Sequence, residues 1–223
     1  MSKVGILLIS TGNYDIFLDP LIESLDKYFL TDHEKQIYLF SDKLLENSFY
    51  VPTLRFPFPT LYRYKWFTQY HQAIDADILY YLDVDMKVVA PVGDEVLPDE
   101  SGLVAVRHPG YWRGGWGDHG TTKKSLAYVP VNERKQYYAG GFQGGTRDVY
   151  LAAAAEMADN IRKDGSHHMA QWHDESHWNK YLTKHTFKEL SPSYCHPEAA
   201  WAIDLPFEAK IKALDKNHSK LRT

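Results

Sequence analysis

The chain has 223 residues, 44% of them hydrophobic and 24% charged, with a formal net charge of −4. That is enough chain for one full-sized core, in the proportions of a soluble globular protein, and the charge gives no footprint for nucleic acid or an anionic membrane. Cys195 is the only cysteine, which excludes an internal disulfide and permits a reducing compartment. No run approaches the ~20 apolar residues of a membrane span, and the first ten residues lack the apolar core of a signal peptide. The expected location is cytoplasmic. Aromatic residues make up 14%, which suits both sugar rings and ordinary packing.

Residues 4–10 (V-G-I-L-L-I-S) form a continuous apolar run, the pattern of a strand covered on both faces. A T-G-N turn follows. Phe17, Leu18, Leu21, Ile22, Leu25, Tyr28 and Phe29 then recur at helical spacing, and residues 36–41 (Q-I-Y-L-F-S) read as the next strand. Strand, helix and strand predict a parallel pair with a right-handed crossover. Ligands on such sheets bind beyond the carboxyl ends of the strands, which puts Ser10, Thr11 and Tyr14 at the mouth; Tyr14 equally suits packing on the sheet. Two prolines break the chain within residues 56–60, and residues 62–73 read as an aromatic-rich helix with Arg63 near its start. Facing the mouth, the planar fork of Arg63 can hold a base carbonyl or a phosphate; facing outward, it is a solvated charge.

Residues 78–88 read I-L-Y-Y-L-D-V-D-M-K-V. The apolar, β-forming run stops at Asp83 and Asp85. On an extended chain, residues two apart project to one face, so both carboxylates aim at one place. Two such anions repel unless a cation lies between them. Oxygen ligands of this kind suit Mg²⁺ or Mn²⁺, which keep positions open for phosphate oxygens. The same spacing also fits a strand followed by a polar turn.

Residues 103–106 make another short strand, ending at Arg107, His108 and Pro109. Residues 111–124 are glycine-rich and aperiodic, hence a long loop. Residues 137–146 (Y-Y-A-G-G-F-Q-G-G-T) set four glycines in a β-type run, the mark of a bulge or of a ligand lying close to the backbone. An alanine-rich helix over 148–163 is closed by Gly165. Residues 171–181 read Q-W-H-D-E-S-H-W-N-K-Y. An acid at a helix N-terminus needs no further role, but two adjacent acids, Asp174 and Glu175, between Trp172 and Trp178 exceed that need. His173 and His177 have zinc spacing, although the zinc-protease pattern puts Glu directly after the first His, where Asp174 stands. The basic tail over 214–223 follows a core-like segment over 201–207. Such tails fray, yet Lys216 and Arg222 can close over a diphosphate with charge-assisted bonds.

Read in order, the motifs resemble a glycosyltransferase family, the one containing the blood group A and B transferases, the α-1,3-galactosyltransferase and the Forssman synthase. The matching stretches are the Tyr14 segment, Arg63, Y-L-D-V-D-M, His108-Pro109-Gly110, the glycine run, W-H-D-E-S-H-W-N-K-Y, S-P-S-Y at 191–194 and the tail from Lys216 to Arg222. The resemblance implies one α/β GT-A domain over 1–223, Rossmann-like, with a mixed, mostly parallel sheet. Residues of about 1–90 would form its nucleotide-binding half, about 91–207 its acceptor half, and 208–223 a tail closing over the donor. It further implies a UDP-sugar donor, Mn²⁺ or Mg²⁺, and retention of anomeric configuration. Members with a Golgi anchor carry a stem; the likeness here is to the short soluble bacterial or phage-type members.

Carried over by motif, Asp83 and Asp85 would hold the metal against the diphosphate, with the Val84 backbone near the nucleotide. Ile9, Ser10, Thr11 and Tyr14 would bind uridine, and Arg63 would reach nucleotide or sugar. Asp174 would hold donor hydroxyls, and Glu175 would face the anomeric carbon and the acceptor as nucleophile or as stabiliser of an ion pair. Lys216 and Arg222 would complete the pyrophosphate clamp. Ala139, Gly140 and Gly141 would lie beside the donor's C2 substituent, and their small size favours UDP-GalNAc over UDP-Gal. His108 and Trp172 would contact a β-galactoside acceptor, with or without fucose. After S-P-S-Y this chain continues Cys195-His196-Pro197 where blood group relatives carry an acid, which leaves the acceptor open. Two other classes share these features: a UDP-sugar hydrolase and a non-catalytic carbohydrate-binding protein.

Overall fold

The computed structural model describes residues 1–114, 117–199, 202 and 204–222. Gly115 and Trp116 of the glycine-rich loop, Trp201 and Ile203 of the core-like segment, and Thr223 of the tail lie outside the described residues. The first strand, β1 (Lys3–Ser10), leads through a 3-10 turn into helix α1 (Leu18–Tyr28) and back to β2 (Glu34–Ser41). β1 and β2 pair in parallel, as the strand–helix–strand reading expects. A short β3 (Ser48–Tyr50) extends this edge. Helix α2 (Phe58–Gln69) begins four residues earlier than the pattern predicts, with Pro59 in its first turn. Proline tolerates that place because the N–H it lacks would have no helical partner there. Strand β4 (Ile78–Leu82) pairs in parallel with β1.

After β4 come β5 (Met86–Val88), β6 (Leu103–Arg107), β7 (Tyr138–Thr146), helix α3 (Arg147–Asp164), helix α4 (His173–Leu182) and β8 (Lys188–Leu190). The chain closes with the two-residue β9 (His196–Pro197), β10 (Ile211–Ala213) and the single-turn helix α5 (His218–Leu221). The main sheet has the order β3-β2-β1-β4-β7-β6-β8, with β7 antiparallel to both neighbours and the other pairs parallel. This is the mixed, mostly parallel α/β sheet of a GT-A-like domain. β5, β10 and β9 form a second, three-stranded sheet.

The side-chain alternation of β1 explains its continuous apolar run. Val4, Ile6 and Leu8 pack with Leu18, Leu21 and Leu25 of α1 on one face. Leu7 packs on the other face with the cluster built by α2, α3 and α4, including Tyr64, Phe67, Tyr150 and Trp178. Helices cover both faces, so neither face of the strand can be polar. Two of the β7 glycines serve this packing rather than a ligand. A Cβ on Gly144 would lie 2.4 Å from Tyr80, and one on Gly145 would lie 2.2 Å from the Gly102 carbonyl. Among the described residues, no helix is long and apolar enough to cross a membrane.

Candidate active site

A cavity of about 300 Å³ opens beyond the carboxyl ends of β1 and β4, where parallel sheets place their ligands. Ile9, Thr11 and Tyr14 line it from the end of β1; Asp83, Val84 and Asp85 line it from the end of β4. Arg63 enters from α2, Gly140 and Gly141 from β7, and Trp172, Asp174 and Glu175 from the start of α4. Lys216 and Arg222 come from the tail. Residues more than 200 positions apart in sequence thus share one wall.

Three expected residues are elsewhere. Ser10 is buried on the even-numbered face of β1, opposite to Ile9, and its hydroxyl has no hydrogen-bond partner; strand alternation sends it away from the cavity. Ala139 lies in the apolar core with Phe142 and Val106, so only Gly140 and Gly141 of the triplet reach the wall. His108 is off the wall as well: its ring packs against Tyr111 and Tyr137, and its Nδ1 accepts from the Gly110 N–H.

The acid pair is not extended. β4 ends at Leu82, and the Met86 N–H bonds the Asp83 carbonyl at 3.1 Å, so Asp83 to Met86 form a turn. The turn arises because the chain leaves the main sheet at Asp83, whose N–H still bonds Gly141 of β7, and joins β10 in the second sheet at Met86. Both carboxylates nevertheless face the cavity.

Arg63, buried on α2, ties this turn to α4. Its Nη2 lies 3.2 Å from Asp83 Oδ1, and its Nη1 lies 2.9 Å from Asp174 Oδ2 and donates to the Gly140 carbonyl at 3.2 Å. The guanidinium stacks on the Tyr81 ring, and the Tyr81 hydroxyl bonds Asp83 Oδ1. Burial opposes the charge of Arg63, but Asp174, Tyr81 and Asp83 hold it protonated. Burial pushes the Asp174 carboxyl up to about 6 against the pull of Arg63. Glu175 rises further, to about 7, because burial outweighs the hydrogen bond its Oε2 accepts from the Gly140 N–H at 2.7 Å. Such a shift is common at sites that do chemistry.

The tail is docked, not frayed. β10 runs antiparallel to β5, the Leu214 N–H bonds the Asp85 carbonyl at 2.9 Å, and the Lys216 ammonium pairs with the buried Asp85 carboxylate. Burial raises the Asp85 carboxyl, as does Asp83, while Lys216 draws it down. Arg222 stacks on Phe56 at 3.6 Å, and Phe56 meets His173 edge-on.

The helical histidines part company. His173 opens α4 with a φ of 50° beside Phe56, while His177 is buried against Asp164 at 3.5 Å. They do not form a zinc pair. His173, read in the sequence only for its zinc spacing, lines the cavity, as do Thr53, Leu54, Phe56 and Thr60, which that reading did not single out. The proline-rich stretch around the start of α2 was the one signal for Thr53, Leu54, Phe56 and Thr60, since it marks where an irregular segment must cross the sheet ends.

The sequence model of glycosyltransferase family 6 matches residues 62–223. Histo-blood group ABO system transferase 1 of Rattus norvegicus is 29% identical, over 99% of this chain and 69% of its own. Globoside alpha-1,3-N-acetylgalactosaminyltransferase 1 of Gallus gallus is 26% identical, over 98% and 69%. The O-antigen biosynthesis glycosyltransferase WbnI of Escherichia coli is 25% identical, over 87% and 88%. Arg63, the acid turn, the β7 glycines, the head of α4 and the docked tail all fall inside the matched span, and the chain belongs to glycosyltransferase family 6.

Proposed function

We propose that this glycosyltransferase moves N-acetylgalactosamine, or galactose, from a UDP-sugar to a β-galactoside, with or without fucose, making an α-1,3 linkage with retention. The observation that carries the reading is the acid pair at the head of α4, buried Asp174 and half-buried Glu175, in one cavity with the Asp83–Asp85 turn and two tail cations. The globoside relative is by name an alpha-1,3-N-acetylgalactosaminyltransferase, which supports the linkage and the donor sugar.

The acid turn fits a divalent cation such as Mn²⁺ or Mg²⁺. Asp85 is buried and already pairs with a cation, the Lys216 ammonium. Among the described residues no group of three His, Cys, Asp or Glu could hold a metal. Two carboxylates would therefore leave the remaining positions to diphosphate oxygens and water, the arrangement these ions favour. When bound, the ion supplies Lewis acidity that neutralises charge on a leaving diphosphate.

The chain's own groups do the rest. Ile9, Thr11 and Tyr14 hold the base end of the donor, and Lys216 and Arg222 close on its phosphates. Asp174, tied to Arg63, accepts donor hydroxyls. Glu175 presents a carboxylate oxygen at the anomeric carbon, either forming a glycosyl ester that the acceptor hydroxyl displaces or stabilising an ion pair. Trp172, 45% exposed, offers an apolar face to an acceptor ring. Buried, unpaired Cys195 is compatible with a reducing cytoplasm.

The test is a screen of UDP-GalNAc and UDP-Gal against β-galactosides, with Mn²⁺ and with EDTA, reading product linkage by NMR. The expected product is α-1,3-linked, formed only with metal. UDP release at the same rate with and without acceptor would make the protein a hydrolase instead.

A further inference from the structure

Helix α4 and strand β7 are joined by two side chains one helical turn apart. Asn179 Oδ1 accepts from the Tyr138 N–H at 2.8 Å, and its Nδ2 donates to the Tyr138 carbonyl at 2.8 Å and to the Glu175 carbonyl at 2.9 Å. Glu175 Oε2 accepts from the Gly140 N–H at 2.7 Å. Four helical residues advance about 6 Å and two strand residues about 6.6 Å. Asn179 and Glu175 therefore meet Tyr138 and Gly140 in matching steps.

These contacts stand where a neighbouring strand would be. The β6–β7 register passes from Ala105↔Gln143 to Arg107↔Tyr138 through an irregularity, so residues 139–142 have no β6 partner. The Gly140 carbonyl is held instead by Gln143 Nε2 at 3.0 Å and by Arg63 at 3.2 Å. Both backbone groups of Gly140 are thus satisfied by side chains, those of Glu175, Gln143 and Arg63, and Asn179 holds both backbone groups of Tyr138 at the edge of this gap.

We propose that Asn179 is a positioning residue: its carboxamide sets the register of α4 on β7 and so holds the Glu175 carboxylate against Gly140 and at the cavity wall. The proposal rests on the reading of Glu175 as the group at the anomeric carbon. Only a carboxamide fits this place, because one planar group must accept one bond and donate two. An aspartate would turn an anionic oxygen toward the carbonyls of Tyr138 and Glu175. Asn179 is buried and is not among the residues that line the cavity, so its effect passes through the groups it holds, Glu175 and the β7 backbone at Tyr138.

The experiment is a double-mutant cycle on the full chain with Asn179→Ala, Glu175→Gln and both together. Labelled donor follows residual turnover, below the melting point of every variant, and calorimetry follows UDP binding. Asn179→Ala is expected to lower kcat about 10- to 100-fold, the scale of a misplacement of about 1 Å, with donor KM and UDP affinity within about twofold. Added to Glu175→Gln it should cost less than about twofold more, because the group it positions is already disabled. Losses that multiply in the double variant, or an unchanged kcat in Asn179→Ala, would overturn the proposal. Full activity of Glu175→Gln alone would instead remove Glu175 from the mechanism, a separate result. If Asn179→Ala does not fold, the isosteric Asn179→Asp enters the same cycle with the same expectation.

Discussion

The Lys216 ammonium pairs with the Asp85 carboxylate, so the C-terminal tail and the acid turn form one electrostatic unit. A divalent ion bound at the turn must share or displace that ammonium. Replacing Lys216 by Met leaves Asp85 buried without its cation. We expect Lys216→Met to bind Mn²⁺ alone on the order of tenfold more tightly, and UDP in the presence of Mn²⁺ about tenfold more weakly, since 1.4 kcal/mol is a factor of ten. Titration calorimetry of each ligand reads both; equal Mn²⁺ affinity in the two proteins would separate Lys216 from the ion site.

Glu175 ties stability and activity to pH in opposite senses. Its carboxyl is pushed up to about 7 by burial, against the Gly140 N–H, with Asp174 and Asp83 adding repulsion. Between the ordinary value of 4.5 and about 7 the unfolded chain has lost this proton and the folded chain keeps it. Stability from this group is therefore full below 4.5 and falls as pH rises to about 7, by about 3–4 kcal/mol at most. Glu175→Gln should melt higher than the wild type at pH 8, with a smaller difference at pH 5. Activity runs the other way: kcat/KM of the wild type should rise through about pH 7 as the carboxylate ionises. Melting curves and initial rates across pH 5 to 8 check both signs.

Arg63 holds two acids and the Gly140 carbonyl from one buried guanidinium. Arg63→Met leaves Asp174 buried and unpaired, a change that costs about 3–5 kcal/mol, or on the order of 10 °C in Tm for a chain of this size. Arg63→Lys should not restore it, because a point charge cannot span both carboxylates in the plane the fork provides. Thermal unfolding of the two variants decides; a lysine variant as stable as wild type would show that charge alone suffices.

Much of the frame was legible in the sequence. The apolar run of β1, the periodicity of α1 and the acids at the head of α4 each reflect a local rule, and local rules survive folding. What was not legible depends on distant partners. The turn at Asp83 follows from pairing between Met86 and Ala213, a match of three residues that no periodicity announces. Asn179 and Gln143 read as ordinary polar positions, yet both are buried, Gln143 donating to the Gly140 carbonyl and Asn179 bonding both backbone groups of Tyr138. Ser10 and Ala139 lie off the cavity wall for a different reason. A motif shows which segment reaches a site, but which side of the strand faces it depends on where the helices pack.

Gly141 offers the sharpest test of donor choice. A Cβ added there would lie 2.9 Å from Asp83 Oδ2, 3.6 Å from Asp83 Cγ and 3.7 Å from Met86 Sδ. The first of these is closer than side chains tolerate, so either Asp83 or the strand must give. Asp83 has little freedom, because Arg63 and the Tyr81 hydroxyl both hold its Oδ1. In Gly141→Ala the methyl would therefore take up room at the wall where the donor's C2 substituent is proposed to sit. We expect kcat/KM for UDP-GalNAc to fall about 10- to 100-fold more than for UDP-Gal, the range set by a methylene-sized difference in a pocket. Initial rates with both donors at matched acceptor check it. An equal loss for the two donors would mean that the methyl acts through Asp83 alone, and that the C2 substituent lies elsewhere.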